Sequence, residues 1–147
     1  MKKAVLVVNV LCVALMVCAP AFATDSPSVY RAKANAMCKA GIAKLNAVPA
    51  PKSAAEYAAY FTTSGQIGLA LVHQLANYEP PDSLKPAVSN ALYLQSKVVG
   101  GINNLAAEMR KGGNPVQELN AAKATLNSWT NSANAAWRKA GLAVCAS

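Results

Sequence analysis

Few side chains in this sequence can do chemistry. One histidine, His73, and six carboxylates, Asp25, Glu56, Glu79, Asp82, Glu108 and Glu118, make up the acid-base inventory, and four cysteines supply the thiols. A catalytic nucleophile needs a base beside it and a structural metal needs several converging ligands, so the spacing of these groups decides what they can do. His73 lies in a segment of helical periodicity, on the side away from its stripe of Ser64, Leu71 and Leu75. It is therefore expected on the surface, unable to serve as an interior base, metal ligand or haem ligand. The carboxylates fall at or near expected helix ends, where capping, dipole and solvent roles account for them. The sequence has no Glu-x-x-His repeat of a di-metal bundle and no Cys-x-x-Cys-His of covalent haem. Its glycine pairs lack the strand-loop-helix setting of a phosphate loop. The expectation is a protein that is not an enzyme, with no catalytic residues, no metal and no cofactor.

The cysteines point elsewhere. Lys2 and Lys3, the apolar run from Ala4 to Val17, and Ala21-Phe22-Ala23 together read as a secretory signal peptide over residues 1–23, cut after Ala23. That run, 14 residues long, is short of the roughly 20 needed to span a bilayer, and nothing after it is apolar enough to act as a stop. Cys18 offers a lipid-anchored alternative, but a lipobox asks for a small residue just before the cysteine, and Val17 stands there. With the leader go Cys12 and Cys18. In an exported protein the remaining pair, Cys38 and Cys145, is expected to form one disulfide. The leader also takes two lysines, so the fourteen Lys and Arg fall to twelve against six acids, a net charge of +6. The lysines are scattered, which argues against nucleic acid; an exported basic surface meets anionic envelope polymers and lipid head groups instead.

The elements that position these residues are all helical. Ser26-Pro27 opens a first helix that runs to about Asn46 and carries Cys38 on its inner side or edge. Pro49 and Pro51 make a stiff connector, and Ser53-Ala54-Ala55-Glu56 has the form of a capping box starting a second helix that ends near Asn77. Pro80-Pro81-Asp82-Ser83 leads into a long third helix, stopped by Gly112-Gly113. Gln95 sits within its apolar stripe and needs a partner if buried, while Gly100-Gly101 predicts a kink or a close helix contact. Asn114-Pro115 caps a fourth helix that ends at Gly141, with Leu142 folding back. No stretch alternates with a period of two. Four helices with short loops imply one all-α domain over residues 24–147, an up-down-up-down four-helix bundle stapled by the disulfide.

Aromatics remain as candidates for binding. Tyr57, Tyr60, Phe61, Trp129 and Trp137 could line a ligand cleft or a partner surface, although aromatic stripes at helical spacing serve mainly as core. Tyr93, Leu94 and Leu69 point away from their helices' stripes and would mark a partner surface if they cluster. The chain also resembles a group of small exported helical proteins of the actinobacterial type. The resemblance is carried by Tyr30 eight residues before Cys38, by Pro80-Pro81, and by Ala140-Gly141-Leu142 followed by Cys145. It implies an exported helical domain with one disulfide and supplies no catalytic residues. The functional expectation is a secreted or cell-envelope helical bundle with a binding or structural role, its partner an anionic envelope polymer, lipid head groups or a protein. The alternative is a carrier of a small apolar ligand held between the helices.

Overall fold

The computed structural model describes residues 25–146. The leader, with its cleavage site and Cys18, lies outside the described residues. Four helices follow one another: α1 (Pro27–Asn46), α2 (Glu56–Ala76), α3 (Lys85–Arg110) and α4 (Pro115–Lys139), with a closing 3₁₀ turn at Ala143–Ala146. Among the described residues there is no strand, and the architecture is the up-down-up-down bundle expected from the periodicity.

Local chemistry explains most of the boundaries. The Ser26 hydroxyl accepts from the Val29 N–H at 3.4 Å, and the Asn114 side chain accepts from the N–H groups of Val116 and Gln117 at 3.0 and 3.3 Å. Each cap is followed by a proline at the first helical position, where its missing N–H costs no hydrogen bond. The start of α2 differs from the capping box expected there. The Ser53 carbonyl accepts from the Glu56 N–H at 3.1 Å in a tight turn, so the helix begins at Glu56 rather than just after Ser53. The Glu56 carboxylate still reaches back, but to the Lys52 N–H at 2.7 Å.

Glycines set how closely the helices approach. A Cβ on Gly68 would lie 3.0 Å from Val99, and one on Gly65 would collide with Asn103, so α2 packs on α3 through side-chain-free positions. On the other face of α3, a Cβ on Gly101 would meet Leu126 at 2.7 Å and Trp129 at 3.0 Å. The Gly100-Gly101 pair thus resolves into a close contact within an uninterrupted helix; Gly101 makes it, and Gly100 has no such neighbour. From Gly65–Asn103 to Gly68–Val99 residue numbers rise along α2 as they fall along α3, which makes these two helices antiparallel.

The bundle is not uniform around its circumference. α3 packs along both α2 and α4, and α1 packs on α2 and on the C-terminal turn. The backbones of α1 and α4 approach each other hardly at all, so the fourth seam is closed by the tail rather than by the two helices. The tail is built for this. Gly141 adopts a positive φ of 76°, the Leu142 N–H donates to the Trp137 carbonyl and the Gly141 N–H to the Arg138 carbonyl, both at 2.9 Å. These two bonds form a Schellman stop, with Leu142 buried as its apolar return. Cys145 then bonds to Cys38 across 107 residues, with the Cα atoms 5.1 Å apart. Closing so long a loop stabilises by about 4 to 5 kcal/mol in the chain-entropy account.

Candidate functional site

Two regions concentrate the groups the sequence singled out: the clasp formed by α1, the end of α4 and the tail, and the seam beneath it. In the clasp the Arg31 guanidinium donates to the Ala140 carbonyl at 3.1 Å, and the Asn35 side chain accepts from the Val144 N–H at 3.3 Å. Arg138 donates to the Ala146 carbonyl at 3.4 Å. Helix α1 is therefore fastened to the tail by side-chain bonds to backbone as well as by the disulfide. Its inner residues Tyr30, Ala34 and Cys38 join Val88, Ala91, Trp137 and Leu142 in the main core.

A polar link lies at the same end. The Tyr30 and Tyr78 rings stack at 4.9 Å, nearly parallel, and the Tyr78 hydroxyl donates to Asp25, which also pairs with Lys33 at 2.9 Å. The hydrogen bonds from Tyr78 and then Lys33 hold the Asp25 carboxyl below its ordinary value, while burial pushes the Tyr78 phenol up, helped by its bond to Asp25. The Tyr30 hydroxyl is buried with no hydrogen-bond partner among the described residues, and burial raises its pKa too. The sequence held no sign of this arrangement, because Tyr78 lies 53 residues from Asp25 and belongs to no motif.

The five candidate aromatics divide into three places. Trp137 is 1 % exposed and its indole N–H donates to the Gln95 side chain at 3.2 Å, which is the partner that Gln95 required. Trp129 lies half-buried in a shallow groove of about 350 Å³ between α3 and α4, with the Lys97 ammonium 5.1 Å from its ring and 5.8 Å from that of Tyr93. Tyr57, Tyr60 and Phe61 pack together at the start of α2, at the opposite end from the clasp, with Phe61 edge-on to Tyr60 at 5.3 Å. One continuous aromatic surface does not form. Nor do Tyr93, Leu94 and Leu69 make an exterior patch: Tyr93 is 61 % exposed, but Leu94 packs against the core.

Beneath the clasp, where α1 and α4 diverge, a cleft of about 100 Å³ opens into the bundle. Ile42, Leu45, Leu71, Val72 and Leu75 supply an apolar wall; Gln95, Thr130 and Asn134 supply a polar one; the disulfide stands at its edge beside Trp137. His73 is exposed on α2 and takes no part. Among the described residues no three His, Cys, Asp or Glu side chains gather as a metal-binding group, and no helix is long and apolar enough to cross a membrane. The chain matches no protein-family model, no curated protein and no solved structure.

Proposed function

We propose that this is an exported, non-enzymatic bundle that binds a surface of closely spaced negative charge, an envelope polymer or lipid head groups, through its middle. The observation that carries this reading is where the charges sit. Asp25, Glu79 and Asp82 lie at the clasp end, and Glu56, Glu108 and Glu118 lie at the other. Four of the six are already paired: Asp25 with Lys33, Glu79 and Asp82 with Lys85, and Glu108 with Lys111. Between the two ends the charged side chains are all cations, Lys39, Lys97 and Lys123, and Lys44 adds a fourth in the last turn of α1; none of the four is in an ion pair among the described residues. A basic waist, with the acids kept to the two ends, attracts a polyanion. The resemblance to exported helical proteins and the signal-peptide pattern support the same setting.

Retention on a polyanionic resin and on vesicles containing an anionic lipid tests the reading. Binding is expected at low salt and to be lost steeply toward physiological ionic strength, where the Debye length falls to about 8 Å. Replacing Lys39, Lys44, Lys97 and Lys123 together by alanine should abolish it. Retention that ignores salt, or that survives the fourfold replacement, refutes the proposal, and the resin and vesicle arms separate polymer from lipid.

A further inference from the structure

We infer that the cleft between α1 and α4 is a binding site for a short aliphatic molecule with an uncharged hydrogen-bonding head, such as an alcohol or a primary amide. The inference is independent of the charged waist. It starts from a mismatch across the seam. On α1, Ile42 and Leu45 turn apolar, half-buried side chains toward the gap. The flank of α4 across from them carries Thr130 and Asn134, one turn apart, where a closed bundle would place apolar residues. Along this stretch the two flanks are mismatched, and the backbones of α1 and α4 make almost no close approach.

The lining then specifies the guest. Leu71 and Leu75 from α2 extend the apolar wall, so one side of the cleft favours a hydrocarbon chain. On the other side, the Thr130 hydroxyl and the Asn134 amide have no hydrogen-bond partner among the described residues. Gln95 accepts the Trp137 indole proton through its oxygen, which leaves its amide nitrogen as a donor. Donors and acceptors are both present and no ionisable group lines the cleft, so a neutral head is matched and a charged one is not. The cleft volume of about 100 Å³ is well below that of drug-sized sites. Since a cavity of about 150 Å³ holds a benzene ring, the part of the guest held inside is about four to six non-hydrogen atoms. This departs from the small apolar ligand that the sequence offered as the alternative, because one wall is polar and the cleft opens at the seam.

The experiment uses the mature protein with Trp129→Phe, which leaves Trp137, at the cleft, as the sole indole. Titration with 1-hexanol is expected to give a saturable change in Trp137 emission with a dissociation constant on the order of 1 mM, an affinity consistent with so few atoms. Hexanoate should bind at least about tenfold more weakly, and added salt should not alter hexanol binding. Amide and methyl shifts in the otherwise unaltered protein should be confined to Ile42, Leu45, Leu71, Gln95, Thr130 and Asn134. Thr130→Val and Asn134→Leu, each checked for retained helicity, should weaken hexanol at least about tenfold. A non-saturable response, equal binding of hexanoate, shifts centred on Leu126 in the other groove, or undiminished binding by a folded Asn134→Leu protein overturns the assignment. Loss of salt-dependent retention would leave it untouched.

Discussion

The two ends of the bundle are built from the same alanine-rich helices and solve the problem of burial differently. At the clasp end, Tyr30, Val88, Ala91, Ala140 and Leu142 have no exposed surface, because the tail folds over the helix ends and is bonded there. At the other end Tyr57, Tyr60 and Phe61 are only half-buried and Val116 stands 59 % exposed. At that end α1 stops at Asn46, and the connector sets Val48, Pro49 and Pro51 beside Tyr60 with an open groove between them. Large aromatics do not by themselves make a core. A core forms where another element excludes water from them, and here the last few residues of the chain do so.

The sharpest way to break this contrast is a pair of truncations. Trp137→Ala removes a buried indole and leaves the Gln95 oxygen without its donor, and should cost about 3 to 5 kcal/mol by denaturant unfolding. Phe61→Ala, at the half-buried end, should cost about 1 kcal/mol. Equal losses would mean that the two ends are equally packed. The next effect concerns the disulfide. Replacing Cys38 and Cys145 together by serine should cost about 2 to 5 kcal/mol. Amide exchange should then rise first in α1 and the tail, while α2 and α3 keep their protection; uniform acceleration would show that α1 is held by the helices alone. The smallest effect is a pH dependence confined to the clasp end. The folded-state pKa of Asp25 lies below the ordinary 3.8, so its contribution is present above that pH and disappears as pH falls through the lowered value. Lys33 and Tyr78 are shifted the other way from 10.5 and 10.0, so theirs is present below about pH 10 and disappears above it. A Tm that is level across the neutral range should therefore decline in acid, and decline less when Tyr78→Phe removes the hydroxyl bonded to Asp25. An unchanged acid limb in that variant would assign the decline to other carboxylates.

Much of this fold can be read from residue types and spacing, for reasons that are local. Ser26, Asn114 and Gly141 act on neighbours within a few residues, so their roles are visible in the chain itself. The third and fourth helices' stripes are enough for the bundle, and the two cysteines outside the expected leader are enough for its staple. The lone polar residue in an apolar stripe, Gln95, announces a partner without naming Trp137. Features made by distant residues stay hidden. The Tyr30–Tyr78 stack and its bond to Asp25 join the two ends of an α1–α2 hairpin. The cleft arises because two helices fail to meet, and Thr130 and Asn134 in sequence look like ordinary surface positions. The Ser53 box misleads for a related reason: the same residues satisfy their backbone groups in a tight turn before the helix starts.

Closing the fourth seam with the tail has a consequence for the order of assembly. A ribosome makes α1 well before Cys145, so α2, α3 and α4 can pair along their seams while α1 still has only one helix to lean on. The turn after Gly141 then docks α1, and oxidation of Cys38 with Cys145 makes the docking permanent. Closure thus follows helix pairing, and a chain cut short before its closing turn would leave α1 packed on α2 without its clasp.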